Sequence, residues 1–411
     1  PIEVRVFPFR LAKDHDLSVG LYYRPPDGGQ FALLDRVNDF QAERDRILKE
    51  QMELLAEYGM TSVQLPVPSL RGLRGGGALL NFSGTEKVAA AAKAGGLLRT
   101  SHQRSFSYTL SFGRAIGRRL AGSHFKEGTE LRHSGFDSAY FSANRQFVEW
   151  GEKTKTPLVF WVVDEPRETP NPWNRNLADT ISYLKLAGKV KGAVRMITPM
   201  GDSNGGKDYL PILDHLEIVA THSTKSSRRF ITGAMTNPEV ELWIYNAGKD
   251  RYSNGFYLWR VGATGKHEWH FNQWKHAKTR NRYLGSEIHN PFLNYEHTAA
   301  TVPAPLEYKG ALLPKVGLLT MSNGINDYLY VHALEQSIKS AKRKGRKIAR
   351  ATEAERYLSA LRNVIPIFPN VKNLATEADL ALVGEGIEGG GVERLDTWRE
   401  KIAEFVVSLR E

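Results

Sequence analysis

The stretch "FWVVDEPRE", residues 160–168, joins four apolar residues directly to two adjacent carboxylates, Asp164 and Glu165. The apolar run reaches back to Pro157, and its length and composition are typical of a buried strand. Pro166 disfavours a helical backbone at Glu165 and biases that residue towards an extended conformation. Residues 157–165 therefore predict a buried strand that carries both acids at its carboxyl end.

Similar apolar runs alternate with helix-like segments along the chain. The strand-like runs are 17–23, 61–68, 106–112, 157–165, 193–199, 216–223, 240–246 and 267–274, and the helical patterns between them include 33–59, 85–95, 138–154 and 177–190. Such alternation predicts parallel strands with crossover helices. Eight strands over roughly 260 residues suit an α/β fold of the closed (β/α)8 TIM barrel type. A doubly wound open sheet is the second interpretation, but no Gly-x-Gly-x-x-Gly turn supports it.

The ends of the chain are less regular than its middle. Residues 1–14 alternate like one N-terminal strand, which covers the barrel or is the remnant of an upstream β domain. The barrel is assigned to residues 15–290. Residues 291–411 are assigned to a long loop and to C-terminal helices at 327–344 and 395–410 that pack on the barrel.

The composition excludes several classes of protein. The 411 residues include no cysteine, which excludes disulfides and thiolate chemistry, and no run of 18 uncharged apolar residues predicts a membrane span. The net charge of +11 invites a nucleic-acid partner, but the densest basic run, 339–350, follows a helical pattern typical of a solvated face. No nucleic acid is therefore expected, whereas an anionic polysaccharide stays open. The sequence starts at Pro1 without a signal peptide, so we expect a processed or excerpted chain.

The paired carboxylates suggest a chemistry. Catalytic groups of a TIM barrel lie at the carboxyl ends of its strands, and glycosidases use a carboxylic acid to protonate the leaving oxygen. Two carboxylates on different strands can flank the bond, but adjacent ones start from the same side of the sugar. They fit substrate assistance, in which the sugar's 2-acetamido oxygen attacks the anomeric carbon. Glu165 is then the general acid and base, and Asp164 orients the acetamido group. Burial and mutual repulsion should raise the pKa of one of them.

Three alternatives remain at this point. "Asp-Glu-Pro" after a strand can be a polar turn in which Asp164 caps the next segment. A glycosidase for a different sugar could use Glu165 as acid and base with a nucleophile from another strand, such as Glu241 or Glu268. The barrel could also bind carbohydrate without cleaving it.

The chain resembles the catalytic barrel of glycoside hydrolase family 123 and its relatives. The resemblance rests on "VVDEP" (162–166), on 241–274 with its Trp, Tyr and Trp-Arg-x-Gly pattern, and on "SNGINDYLYVHALEQSI" (322–338). It covers most of the chain, although Ser322 and Asn323 stand where relatives often have Arg-Asp. It implies a retaining, substrate-assisted hydrolase of N-acetylhexosaminides, GalNAc-like in specificity. By analogy it also implies an extracellular or periplasmic location.

Further side chains at strand ends are candidates for contacts with the sugar. Tyr245 is the candidate for a hydroxyl on the acetamido oxygen, as the related chemistry implies, and aromatic faces and polar groups would hold the ring. The predicted substrate-binding residues are Tyr23, Gln64, His222, Tyr245, Asn246, Arg251, Trp269, Asn272 and Trp274. "HEWH" (267–270) tempts a zinc interpretation, but its histidines are three residues apart in a strand, so they point to opposite faces. No metal or cofactor is expected.

Overall fold

The structure is a computed structural model, and it describes most of the barrel and of the C-terminal helices. The described residues are 6–13, 15–23, 25, 40–167, 172, 174–198, 209–222, 228–248, 250–268, 301–303, 312–314, 316–367 and 392–411. The division of the chain at residues 14 and 290 stays a prediction, because both boundaries lie outside these ranges.

Eight parallel strands form one sheet. They are β1 (Ser18–Leu21), β2 (Ser62–Val63), β5 (Ser105–Tyr108), β6 (Leu158–Asp164), β7 (Arg195–Thr198), β8 (Ile218–Thr221), β9 (Glu241–Tyr245) and β10 (Gly265–Glu268). Their spatial order is β2-β1-β10-β9-β8-β7-β6-β5. The two edges meet where the Leu65 N–H donates to the Phe106 carbonyl at 3.0 Å. The predicted TIM barrel is confirmed, and Asp164 ends its fourth strand.

Helices surround the sheet. They are α1 (Phe40–Glu57), α2 (Ser83–Ala94), α3 (Leu110–Ala121), α4 (Phe136–Thr154), α5 (Leu177–Gly188), α6 (Arg228–Thr236) and α7 (Phe256–Val261), followed by α8 (Val316–Arg343), α9 (Ile348–Val364) and α10 (Val392–Arg410). Short 3-10 turns occupy Gly122–His124, Glu130–Arg132 and Leu210–His215. The start of α5 shows its local cause: the Asn176 side chain accepts the Asp179 N–H at 2.9 Å and so caps the helix. Within the described residues, no helix is long and apolar enough to cross a bilayer.

Several elements differ from the sequence-based expectation. The predicted strand 106–112 ends at Tyr108, because α3 begins at Leu110. Residues 69–81, for which no strand was predicted, form an antiparallel hairpin of β3 (Ser69–Arg74) and β4 (Gly77–Asn81). A second hairpin pairs β11 (Thr301–Pro303) with β12 (Leu312–Pro314). Helix α8 starts eleven residues earlier than the predicted 327, and α9 was not predicted.

Alternation along the strands separates two apolar layers. Side chains on the inner face fill the barrel, and those on the outer face pack against the helices. The inner layer consists of Tyr22, Phe106, Val159, Trp161, Met196, Ile218, Ala220, Trp243 and Tyr245. It is so tight that a Cβ built on Gly20 would lie 2.8 Å from His267 Cε1. Glycine at position 20 therefore leaves room for the buried imidazole of His267 beside β1.

The C-terminal helices brace the loop that follows β9. Asp327 of α8 is fully buried and accepts hydrogen bonds from Arg251 of that loop, at 2.6 and 3.0 Å, and from Arg399 of α10, at 2.5 Å. Two contacts give the direction of α8. Asp327 contacts the loop after β9. Further along the helix, Glu335 accepts from Trp259 Nε1 at 2.9 Å, and Trp259 lies in α7, the helix that leads to β10. Helix α8 therefore runs from the mouth of the barrel towards its base.

The structure describes part of the predicted N-terminal strand and the whole basic run 339–350. Residues 6–13 contain bends without strand pairing, and Phe9 packs edge-on against Tyr330 of α8 with ring centroids 5.5 Å apart. Residues 1–5 of the predicted N-terminal strand lie outside the described residues.

The basic run 339–350 is exposed except at Ser340, Ala341 and Arg350, as expected of a solvated helix face.

Candidate active site

A β-bulge aims Asp164 into the barrel. The pairing of β6 with β7 is regular up to Trp161 and resumes one residue out of step at Val163. Trp161 belongs to the inner layer, whereas Val162 and Val163 both belong to the outer one. Strict alternation would have turned Asp164 towards the helices, but the extra residue returns it to the inner face. Asp164 consequently pairs with Thr198 at the carboxyl ends of both strands.

Two hydroxyl groups hold the Asp164 carboxyl. Thr198 Oγ1 donates to Oδ1 at 2.6 Å, and the Tyr108 hydroxyl donates to Oδ2 at 3.4 Å. Burial raises the pKa of Asp164 to about 7, although the bond from Thr198 opposes the shift, and the charge of Glu165 adds to it. In the ligand-free protein Asp164 is thus the acid that keeps a proton near neutrality.

Glu165 occupies a left-handed backbone conformation, with φ of 43°. The extended backbone expected from Pro166 is wrong, because the chain leaves the ladder here and turns back over the rim. This region is sparsely populated by residues other than glycine, and such strain is common at functional sites. The turn brings the second carboxylate to the mouth of the barrel instead of its outer face.

The side chains of Arg167 and His222 flank the Glu165 carboxylate. Arg167 Nη2 donates to Oε2 at 2.9 Å, and His222 Nε2 lies 3.9 Å from Oε1. Burial alone would raise the pKa of Glu165, but His222 and Arg167 outweigh burial and lower it. The adjacent acids therefore differ in the direction of their pKa shifts, and the raised pKa belongs to Asp164.

Tyr245, the predicted partner of the acetamido oxygen, lies near both acids. Its ring is buried and packs edge-on against Trp161 and His222, with centroids 5.5 and 5.0 Å apart. Burial and the charges of Asp164 and Glu165 raise the pKa of Tyr245 well above its usual value. The phenol consequently stays protonated and can donate a hydrogen bond.

The first strand contributes Tyr22 instead of the predicted Tyr23. The Tyr23 ring lies in the outer layer, and its hydroxyl donates to Gln51 of α1 at 2.7 Å. Tyr22 points inwards and packs against Trp161 and Tyr245, with centroids 5.4 and 5.8 Å apart. The signal was available: Leu17, Val19, Leu21 and Tyr23 form one apolar face at a spacing of two, which leaves Tyr22 on the other.

The remaining predicted residues have other recorded surroundings or lie outside the described residues. Gln64 accepts the Tyr23 N–H at 3.3 Å, and Asn246 adopts φ of 45° directly after Tyr245. Arg251 is not brought to the acids, because its guanidinium is engaged by Asp327 and by Asp396, the latter at 2.6 Å. Trp269, Asn272 and Trp274 lie outside the described residues. Thr198, Tyr108, Tyr22 and Arg167 surround the acids and were not predicted.

The two alternative carboxylates have other partners. Glu241 begins β9 at the base of the barrel, where it bonds Arg104 and accepts from Thr264 Oγ1 at 2.6 Å. Glu268 pairs with the buried Lys266 and accepts the Gly248 N–H at 2.9 Å. It lies on the face of β10 opposite the inward-pointing His267. Glu241 thus lies at the opposite end of the barrel from the acids, and the Glu268 carboxylate is engaged by Lys266.

His267 of the "HEWH" motif is part of the barrel filling. Its ring stacks on Trp243 with centroids 4.8 Å apart, and burial lowers the pKa of the imidazole to about 3. His270 lies outside the described residues. Among the side chains that are described, no group of three or more His, Asp or Glu residues is placed to hold a metal ion.

Comparison with known proteins extends to the fold. No family model and no curated protein sequence matches the chain. A family 123 glycoside hydrolase from Clostridium perfringens, studied for glycolipid glycan hydrolysis, aligns with 98% of this chain and 72% of its own at a TM-score of 0.63 and 12% identity. An endo-β1,6-glucanase (74% and 75%, TM-score 0.44, 10% identity) and a glycoside hydrolase 5 lichenase from Caldicellulosiruptor sp. F32 (80% and 98%, TM-score 0.42, 13% identity) align less well. The chain therefore has a (β/α)8 barrel similar to that of a family 123 glycoside hydrolase.

Proposed function

We propose that the protein is a retaining glycoside hydrolase that cleaves N-acetylhexosaminides, GalNAc-like in specificity, with assistance from the substrate's 2-acetamido group. One observation carries the proposal: Asp164 and Glu165 are consecutive residues, yet both side chains reach the mouth of the barrel. The bulge before Asp164 and the left-handed turn at Glu165 produce this arrangement. The similar fold of a family 123 glycoside hydrolase supports it.

The arrangement favours an internal nucleophile. Two carboxylates from the same strand end approach the sugar from one side, so one cannot protonate the leaving oxygen while the other attacks from the opposite face. The 2-acetamido carbonyl oxygen of the substrate can attack instead. Glu165 protonates the glycosidic oxygen as the bond from the anomeric carbon to that oxygen breaks, and the carbonyl oxygen forms the new bond, which yields an oxazolinium ion.

Asp164 has the complementary role. Its carboxylate accepts the acetamido N–H and balances the positive charge that develops on the oxazolinium ring. In the second step Glu165 removes a proton from water, the water oxygen attacks the anomeric carbon, and the ring reopens with retained configuration. The Tyr245 phenol lies beside both acids and can donate to the acetamido oxygen.

The resting protonation states differ from those of the reaction. Near neutrality the free protein holds the proton on Asp164, whereas the first step needs it on Glu165. The two acids are neighbours and titrate as a coupled pair. A substrate amide N–H that donates to Asp164 stabilises its anion, so binding favours transfer of the proton to Glu165.

A panel of aryl glycosides tests the proposal. The protein should hydrolyse aryl N-acetylgalactosaminide or N-acetylglucosaminide and leave the corresponding 2-hydroxy sugars intact. NMR should show the retained anomer as the first product, and a thiazoline analogue of the oxazolinium ion should inhibit. Equal cleavage of 2-hydroxy glycosides without thiazoline inhibition would favour a nucleophile from another strand. Binding of the sugars without hydrolysis would favour a non-catalytic barrel.

A further inference from the structure

Thr198 and Tyr108 flank the strand that carries Asp164, one on each side. Thr198 ends β7, which pairs with β6, and Tyr108 ends β5, which pairs with β6 on its other edge. Each side chain donates to a different oxygen of the Asp164 carboxyl, at 2.6 and 3.4 Å respectively. The carboxyl plane is therefore fixed by groups from two neighbouring strands.

From this geometry we infer that Thr198 is a positioning residue, which acts through Asp164 to orient its carboxylate for the substrate's acetamido N–H. The inference rests on the proposed function. The short bond from Thr198 engages Oδ1, and the longer one from Tyr108 leaves Oδ2 the more available oxygen. Because a carboxylate oxygen can accept more than one hydrogen bond, Oδ2 can still receive the amide.

The same bond acts on the charge of Asp164. A hydroxyl that donates to a carboxylate stabilises the ionised form, and the bond from Thr198 lowers the pKa of Asp164 against the opposing effect of burial. The proposed reaction needs the ionised form. Thr198 thus helps to keep Asp164 ionised at a pH at which Glu165 can still hold a proton.

The neighbouring strand supplies a matched control. Thr221 ends β8 as Thr198 ends β7, and both side chains are fully buried. Thr221 follows the inward-pointing Ala220, so it faces the helices. Among the described residues its hydroxyl has no hydrogen-bond partner. Thr221→Val therefore repeats the change from hydroxyl to methyl at the end of a strand without touching Asp164.

The experiment compares the pH dependence of kcat, which reports the protonation states of the enzyme–substrate complex, on an aryl N-acetylhexosaminide for wild type, Thr198→Val, Thr198→Ser and Thr221→Val. Thr198→Val should lose on the order of 10- to 100-fold, because it removes a hydrogen bond to a charged group. Its acidic limb should move up by about one pH unit, since Asp164 becomes harder to ionise. Thr198→Ser keeps the donor and should restore most of the activity and the position of the limb. Thr221→Val should match wild type.

Several outcomes would overturn the inference. An unshifted acidic limb in Thr198→Val, beside an inactive Asp164→Asn, would reject the positioning role and leave the proposed function intact. Equal losses in Thr198→Val and Thr221→Val would show a packing effect. Full activity of Asp164→Asn would reject the proposed function, and the inference with it. Thermal melts check folding, and if Thr198→Val does not fold, Thr198→Ser against Thr198→Ala supplies the same comparison.

Discussion

The imidazole of His222 lies 3.9 Å from the carboxylate of Glu165, measured from Nε2 to Oε1, although the two residues follow strands that β7 separates. The His222 ring also packs edge-on against Tyr245, with centroids 5.0 Å apart. This contact, together with Arg167, lowers the pKa of Glu165 against the effect of burial. His222 therefore influences the pH range over which Glu165 can act as an acid.

Replacing His222 should move the basic limb of the pH profile. Glu165 must be protonated for the first step, so activity falls as pH rises through its pKa in the complex. His222→Gln removes a group that stabilises the anion, so the pKa of Glu165 rises and the basic limb of kcat should shift to higher pH. The exposed His124, changed to Gln, is the control. A limb that stays in place would show that His222 does not act on Glu165.

Removing the acid should discriminate between leaving groups. Glu165→Gln preserves the shape of the side chain but cannot protonate the glycosidic oxygen. Unactivated glycosides should lose about 10²- to 10⁴-fold in kcat/KM, the usual contribution of general acid catalysis. Aryl glycosides with good leaving groups should lose much less in the first step. The measurement compares kcat/KM for natural and nitrophenyl substrates. An unchanged rate on the natural glycoside would favour the alternative in which Asp164 and Glu165 only form a polar turn.

The sequence predicts the barrel because its strand-like and helix-like hydrophobic patterns are both strong. Eight strand-like runs alternate with helical patterns, and few folds are compatible with this alternation. Pairing between strands is not visible in one sequence. The bulge that puts both Val162 and Val163 on the outer face depends on the register with β7. Thr198 and Tyr108 therefore could not be assigned to Asp164 before the register was known.

The sequence identifies the pair of adjacent acids, but it does not indicate which of the two has the raised pKa. Adjacent carboxylates after a buried strand identify a candidate pair, and repulsion predicts that one pKa rises. Which one rises depends on neighbours that are distant in sequence. His222 and Arg167 favour the Glu165 anion, whereas burial raises the pKa of Asp164 although two hydroxyl groups oppose the shift. The left-handed turn at Glu165 is likewise unexpected before a proline.

The basic run 339–350 should be irrelevant to catalysis on a neutral substrate. Helix α8 leaves the mouth near Asp327 and rises about 1.5 Å per residue, so Arg343 lies roughly 24 Å further towards the base. This is about three Debye lengths at physiological ionic strength, where each is about 8 Å.

Reversing two exposed charges of that run, in Lys344→Glu with Arg346→Glu, tests its role. The double variant should keep kcat/KM within about twofold of wild type from low to high salt, because the charges are screened from the site. Arg167→Gln, at the mouth, serves as the contrasting variant, since its guanidinium contacts Glu165. A marked loss in the double variant, relieved by salt, would indicate an anionic substrate that reaches the base of the barrel.

Asp164 should also destabilise the folded protein at neutral and higher pH. An unfolded aspartate titrates near 3.8, and burial raises the pKa of Asp164 to about 7 in the folded state. Between these values the folded protein holds more protons than the unfolded chain, so its free energy of unfolding falls as the pH rises through the window. Below about pH 4 both states are protonated and no penalty remains. Above about pH 7 the folded protein bears the full cost of a buried charge.

Asp164→Asn removes this titration and should therefore stabilise the protein in a pH-dependent way. At pH 8 the variant should exceed wild type by on the order of 2–4 kcal/mol in the free energy of unfolding, and the difference should shrink towards zero near pH 4. Urea denaturation at several pH values measures it. The exposed Asp214, changed to Asn, controls for loss of a surface charge. A difference that is constant with pH would show that the pKa of Asp164 is the same in the folded and unfolded states, and its proposed exchange of a proton with Glu165 would then lack a basis.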